Sequence, residues 1–205
     1  MSLKTFVKIN RITNLTDARY CAGMYANVIG FSLEADSPQY VSPSQFVEIT
    51  GWISGIEFSA EFKKASSNEM LAALEQYPGI KWVESEQLES LLDLKVEGLN
   101  LIYKLPIEEL DRKDEISEKI KNHPITFHLT SKDNTLTADH LAHIHALSSL
   151  GKVILGFGIS AENAAELSEH PNISGLALDS GDEIKPGLRD FDQLADILEA
   201  LELDN

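Results

Sequence analysis

The 205-residue sequence is poor in cysteine and in positive charge, and it contains no long apolar run. Its one thiol, Cys21, excludes an intrachain disulfide and any zinc site that needs several cysteines. Lysine and arginine number 17 against 33 aspartate and glutamate residues, so the net charge is −16. Because so acidic a protein repels polyanions, we expect no nucleic acid and no anionic membrane among its partners.

No apolar stretch approaches the roughly 18 residues that a membrane-spanning helix needs. The first residues, Met1–Thr5, also lack the apolar core of a signal peptide. Together these absences favour a cytoplasmic protein. The composition is 43% hydrophobic and 24% charged, as in ordinary globular proteins, and residues 1–205 are most simply one domain.

Short β-rich runs alternate with helical stretches along the chain, and each run is bounded by turn or capping residues. Ser42, followed by Pro43 and Gln45, is typical of a helix start. Apolar residues at helical spacing predict another helix between Thr137 and Gly151. The eight predicted strands are Phe6–Ile9, Asn27–Phe31, Gly55–Phe58, Lys81–Glu84, Leu99–Tyr103, Ile125–Leu129, Lys152–Gly156 and Gly175–Leu178.

Eight strand–helix units in about 200 residues predict an α/β fold, a (β/α)8 or TIM barrel at the lower limit of its size. The alternative is an open, doubly wound parallel sheet, which the same alternation allows. In both folds functional residues gather at the carboxyl ends of the strands, where we expect a small-molecule ligand. Nothing in the sequence implies a cofactor, and nothing indicates the oligomeric state. The closely spaced His140, His143 and His145 are typical of an exposed helix surface rather than of a metal site.

Three stretches follow one known pattern in the same order. Val7–Thr13 differs at two positions from Val-Lys-Ile-Cys-Gly-Ile-Thr, and Ser37–Ser42 differs at one position from Ser-Pro-Arg-Tyr-Val-Ser. The third stretch runs from Val153 to Asp190 and includes Ser180-Gly181. In these motifs the chain resembles phosphoribosylanthranilate isomerase, the enzyme of tryptophan biosynthesis that performs an Amadori rearrangement on a phosphorylated sugar. The resemblance implies the barrel fold and a site for an aromatic amine joined to a phosphosugar.

The resemblance also implies roles for residues that this sequence has replaced. The family uses a cysteine at the end of strand 1 and an aspartate at the end of strand 6 as its base and acid. Here the first position is Asn10, and the second is Leu129 or Thr130, none of which takes or gives a proton in the working pH range. Gln39 stands where the family has an arginine for the substrate carboxylate, and Glu84 stands where the family usually has a histidine.

The phosphate side of the implied site is altered as well. Phe157 replaces the first of two glycines after strand 7, which puts bulk where the ligand approaches the backbone. Asp179 replaces the first serine of a Ser-Ser-Gly turn, and its charge repels a phosphate unless a cation intervenes. Gly158, Ser180 and Gly181 are retained as binding candidates. We therefore expect water or a neutral group there rather than phosphate.

Strand alternation indicates which side chains face the barrel interior. It predicts a mouth lined by Lys8, Glu57, Glu84, His128 and Asp179, of which Lys8 is a retained family residue. Such a group has acid–base potential of its own, with Glu84 and His128 as candidate replacements for the lost catalytic pair. The simpler interpretation, which we favour, is that these groups pair with one another.

Three functional hypotheses follow. The chain is a family isomerase with rerouted acid and base, a divergent small-molecule enzyme on the same barrel, or a non-catalytic binding or regulatory paralogue. Because barrels carry many chemistries, the fold does not decide among them. The residue losses favour weak or absent isomerase activity.

Overall fold

The computed structural model describes residues 2–121, 123–180, 183–185, 188–189 and 191–203. Within these ranges eight parallel strands form one closed barrel in chain order, and the last strand pairs with the first. This confirms the barrel prediction over the open sheet. The barrel strands are β1 Phe6–Asn10, β2 Val28–Ser32, β3 Glu57–Phe62, β4 Ile80–Ser85, β5 Asn100–Pro106, β6 Ile125–Thr130, β7 Lys152–Leu155 and β8 Gly175–Asp179.

An α-helix follows each barrel strand. A 3-10 helix, Ile107–Arg112, precedes α5, and an antiparallel ribbon of β9 Glu183–Lys185 and β10 Leu188–Arg189 lies between β8 and α8. None of the helices in the described ranges is long and apolar enough to cross a bilayer. The helices are α1 Leu15–Gly23, α2 Pro43–Thr50, α3 Ser67–Leu74, α4 Leu88–Leu92, α5 Lys113–Ile120, α6 Ala138–Ser148, α7 Ala161–Glu169 and α8 Asp192–Ala200.

Local signals in the sequence account for several of these boundaries. Ser42 and Gln45 form a reciprocal capping box at the start of α2, with Pro43 in the first turn, as the sequence predicts. Helix α6 begins after Thr137, whose side chain accepts a hydrogen bond from the His140 amide at 3.2 Å. It ends at Ser148, three residues before the predicted stop.

Apolar and charged side chains share the barrel interior. Ile102, Ile154 and Ala177 form a small apolar cluster against Phe6 and Trp82. In the strand register these three residues pair with charged or titratable ones, Ala177 with Lys8, Ile102 with Glu84 and Ile154 with His128. Side chains on the opposite face of the strands pack in the main hydrophobic core beneath the helices.

The predicted third strand was wrong at its carboxyl end. It was predicted to stop at Phe58, but β3 continues to Phe62 and includes Ser59 and Glu61. Polar residues such as Ser59 and Glu61 normally indicate that a buried strand has ended. Here they lie within β3 and face the barrel interior, which contains the Lys8 ammonium. Because the predicted strand ended at Phe58, Glu61 was not among the predicted site residues.

Candidate functional site

A buried ion cluster occupies the upper interior of the barrel. The Lys8 ammonium donates to Glu61 Oε1 at 2.6 Å and lies 3.1 Å from Glu84 Oε2. His128 Nδ1 lies 2.9 Å from the same Glu84 oxygen. Lys8, Glu84 and His128 are each no more than 2% exposed. Strands β1, β3, β4 and β6 thus bring four charged or titratable side chains into one group inside the barrel, with Glu61, 12% exposed, at its edge.

Mutual attraction fixes the charges in this cluster. Burial alone would lower the pKa of Lys8, but the nearby Glu61 and Glu84 carboxylates outweigh it and raise the pKa. Burial alone would raise the pKa of Glu84, but the Lys8 ammonium and His128 hold it well below its usual range. Lys8 therefore stays protonated and Glu84 stays ionised at neutral pH. Because an ionised carboxylate only accepts, His128 Nδ1 carries the hydrogen that it shares with Glu84.

Gly30 on β2 and Gly156, which directly follows β7, provide the space for the cluster. A Cβ at Gly30 would lie 1.7 Å from Glu61 Oε1 and 3.0 Å from Lys8 Nζ. A Cβ at Gly156 would lie 2.4 Å from His128 Nε2. No heavier residue fits at either position unless the charged side chains move. The absence of a side chain at these two glycines is therefore as necessary for the cluster as its charged residues are.

A second, more exposed set of contacts crosses the rim between β1 and β8. The Asn10 side-chain nitrogen donates to Asp179 Oδ1 at 3.4 Å, and its amide oxygen accepts a hydrogen bond from Lys8. The Arg11 guanidinium donates to both Asp179 oxygens, at 2.6 and 3.2 Å. The Arg11 guanidinium is thus the cation that neutralises the charge of Asp179.

The backbone of Arg11 is unusual. Its φ is +59°, in the left-handed region that favours glycine. The family that the chain resembles has glycine at this position of the motif. The Arg11 amide donates to Glu61 Oε2 at 3.3 Å, and the Arg11 carbonyl accepts from the Ser180 hydroxyl at 3.2 Å. Side-chain partners on both sides of β1 thus hold an arginine in a conformation that normally selects glycine.

Arg11 lines both cavities at the mouth. The larger has a volume of about 620 Å³, lies over the ends of β2 to β5, and includes Gln39 and Glu61 in its wall. The smaller has a volume of about 320 Å³, lies beside β7, β8 and α8, and includes Gly156 and Asp179. Both volumes suit small molecules.

The anion side of the smaller cavity is already occupied by protein atoms. The Gly158 amide, which the sequence makes a candidate anion donor, donates to Asn134 Oδ1 at 2.6 Å. The Ser160 amide donates to Asn163 Oδ1 at 2.8 Å. Ser180 is buried, and Gly181 lies outside the described residues.

Other sequence expectations meet different outcomes. Glu57 is wrong as a mouth residue, because it begins β3 at the amino-terminal end and accepts a hydrogen bond from Trp82 Nε1 at 2.6 Å. Phe157 is wrong as a blocking residue, because its ring is buried in the core and packs edge-on against His140. Thr130, at the end of β6, is partly exposed, whereas Leu129 is fully buried in the outer core. Thr130 is therefore the better counterpart of the lost aspartate.

Three site residues escaped the sequence reasoning. Glu61 was hidden by the early end of the predicted strand, although strand alternation beyond Ser59 points to it. The family motif has a glycine where this chain has Arg11, which signals an unusual backbone conformation at that position. It does not indicate which residues an arginine side chain there would contact. Asn134 lies in a loop, where no periodicity indicates contacts. Among the described residues, no group of three or more histidine, cysteine, aspartate or glutamate side chains is arranged to hold a metal ion.

These features define a (β/α)8 barrel with ligand-sized cavities at the carboxyl ends of its strands. No protein-family model matches the chain. The curated N-(5′-phosphoribosyl)anthranilate isomerase of Gloeothece citriformis is 27% identical over 213 residues, covering 95% of this chain and 93% of that protein. The same enzyme of Rippkaea orientalis is also 27% identical, covering 96% and 95%.

Solved structures agree on the fold. The phosphoribosylanthranilate isomerase of Thermus thermophilus superposes with a TM-score of 0.76 at 22% identity, covering 96% of this chain and 98% of that one. Another isomerase structure, in complex with reduced 1-(o-carboxyphenylamino)-1-deoxyribulose 5-phosphate, gives a TM-score of 0.75 at 19% identity and the same coverage. This chain is therefore similar in sequence and in fold to phosphoribosylanthranilate isomerases, with Asn10 at the cysteine position of the motif and Thr130 at the end of β6.

Proposed function

We propose that the chain is an isomerase-like barrel that binds a small molecule at its mouth and has weak or no phosphoribosylanthranilate isomerase activity. We also place it in the cytoplasm, as its single cysteine favours. The observation that carries the proposal is the state of Asn10. Where the family reaction needs a base, the structure has a carboxamide that binds Lys8 and Asp179.

The chemistry requires more than binding. The Amadori rearrangement needs a base to remove the sugar C2 proton and an acid to open the furanose ring. The carboxamide of Asn10 and the hydroxyl of Thr130 cannot fill these roles near neutral pH. Each acid or base contribution is typically worth about 10²–10⁴-fold in rate, so the loss of both brings turnover close to background.

The buried cluster does not replace the lost pair. Lys8 holds its proton and Glu84 lacks one, and each is engaged by its partners. His128 is 1% exposed and is bound to Glu84. The pattern supports mutual pairing of these groups, as in the simpler interpretation of the sequence.

Turnover of phosphoribosylanthranilate by the purified protein tests the proposal directly. We expect a turnover number far below the ordinary enzyme range of about 1–10³ per second. A strain that lacks the isomerase should also fail to grow without tryptophan when it carries this chain. Turnover within the ordinary range, or full rescue of growth, would overturn the proposal.

A matched variant separates lost chemistry from a damaged fold. Asn10→Cys/Thr130→Asp restores the residue types of the two family positions at the ends of β1 and β6. If the missing base and acid limit the protein, this variant should turn over substrate faster than the natural chain. An isomerase whose cysteine and aspartate are intact serves as the positive control.

A second candidate is a rerouted or divergent enzyme that uses Glu84 and His128. One observation favours it: His128 Nε2 lies against Gly156, a wall residue of the smaller cavity. If residual turnover is found, His128→Gln should abolish it, because a carboxamide cannot transfer a proton in the working pH range. Unchanged turnover in this variant would eliminate the candidate.

A further inference from the structure

Arg11 occupies a position that no other described residue shares, since it alone lines both cavities at the barrel mouth. Its guanidinium reaches Asp179 on β8, and its amide is held by Glu61 on β3. The side chain therefore lies over the top of β1, where the cavity above β2–β5 meets the cavity beside β7 and β8. A ligand that spans both cavities has to pass this residue.

We propose that Arg11 is a specificity-determining residue that divides the mouth into two compartments. The protein then accepts a compact polar ligand in one compartment and excludes an extended aryl-sugar phosphate that needs both. This inference rests on the proposed small-molecule function and names the class of ligand. Asp179 is the anchor of the division, because it fixes the guanidinium through two contacts.

The larger compartment is the better ligand site. Its wall contains five carboxylates and four cationic side chains, so its charges nearly balance. Several of them are already paired, including Asp36 with Lys64 and Glu86 with Lys104. A nearly balanced wall does not favour a strongly anionic group. It suits an uncharged or zwitterionic molecule that offers both donors and acceptors.

The test is ligand binding, not turnover. Calorimetry or fluorescence titration compares two probes, the reduced aryl-sugar phosphate named above and anthranilamide, an uncharged molecule that is small enough for one compartment. In Arg11→Gly/Asp179→Ser the barrier and the repelling carboxylate are both absent. We expect the long probe to bind at least about tenfold tighter than to the natural chain, the change that one good polar contact produces. The affinity for anthranilamide should change by less than about threefold, and a crystal structure should show one continuous cavity.

The single variants locate the cause. Asp179→Asn alone removes the repelling charge but keeps a side-chain oxygen that accepts from the Arg11 guanidinium, so it should give only a small part of the gain. If it gives the whole gain, charge repulsion rather than division excludes the long probe, and the inference fails. It also fails if the folded double variant binds the long probe no tighter than the natural chain. Arg112→Gly, an exposed arginine on the 3-10 helix, should leave both affinities unchanged.

The outcome is independent of the isomerase assay. Ordinary turnover by the natural chain would overturn the proposed function whatever the variants bind. Tight binding of the long probe by the natural chain, without turnover, would overturn only the division by Arg11.

Discussion

Two lysines of this protein are each held between two carboxylates, one inside the barrel and one on its surface. Lys8 contacts Glu61 and Glu84 in the barrel interior, whereas Lys119 on α5 contacts Glu115 at 2.5 Å and also Glu89. The Lys8 side chain is fully buried, but that of Lys119 is 32% exposed. Water can replace the partners of Lys119, while nothing can replace those of Lys8. The pairing of a lysine with two carboxylates is therefore essential for stability at Lys8 and dispensable at Lys119.

The largest expected effect comes from breaking the interior arrangement. Lys8→Met leaves the buried Glu84 and the partly buried Glu61 without their cation, and loss of one partner of a buried pair typically costs about 3–5 kcal/mol. Lys119→Met should change the free energy of unfolding little, because surface pairs are screened by solvent. Chemical denaturation of the two variants measures the contrast. Equal losses would show that burial does not separate the two lysines.

A compensated variant guards against a trivial loss of folding. Lys8→Met/Glu61→Gln/Glu84→Gln removes all three charges at nearly constant volume. It should recover much of the stability that Lys8→Met loses, because no unpaired charge remains buried.

The pH dependence of unfolding sharpens the comparison. The pKa of Glu84 is lowered from 4.5, so its contribution to stability is present above about pH 4.5 and is lost as the pH falls towards the folded pKa. The pKa of Lys8 is raised from 10.5, so its contribution is present below about pH 10.5 and is lost above the folded pKa. The cluster therefore stabilises the protein between these limits.

In Lys8→Met the sign at acid pH should reverse. Without the ammonium, burial raises the pKa of Glu84, and protonation then relieves the buried charge. The difference in unfolding free energy between the natural chain and this variant should shrink between pH 7 and pH 4. A difference that stays constant over this range would contradict the assigned charges. Lys119→Met provides the control for titration of other groups.

The smallest expected effect concerns the rim, where the pair is half exposed. Arg11→Ala loses the contact with Asp179, typically about 0.2–1 kcal/mol, and keeps the left-handed backbone. Arg11→Gly loses the same contact but removes backbone strain of about 1–2 kcal/mol. The glycine variant should therefore unfold at a higher temperature than the alanine variant. The reverse order would show that Arg11 is not strained.

The sequence predicted the fold and the interior residues of the site better than it predicted the contacts between side chains. The strand–helix alternation predicted the barrel, and strand alternation predicted that Lys8, Glu84 and His128 share its interior. Those predictions depend on periodicity, which local sequence carries. The pairing of Arg11 with Asp179 depends instead on barrel closure, which places residues 168 positions apart on neighbouring strands. No local pattern contains that information.

The loop after β6 has a further consequence for any anion that approaches the barrel. Glu108 holds it through the Ser131 hydroxyl at 2.7 Å and the Lys132 amide at 3.0 Å, and Asn134 then reaches the Gly158 amide. An incoming anion competes with a group that is covalently tethered beside the donor and never diffuses away. Such tethering gives a high effective concentration, which for short linkers is in the millimolar range or above. Because Asn134 is part of the chain, dilution does not remove it, and it competes with anions for the Gly158 amide at any protein concentration.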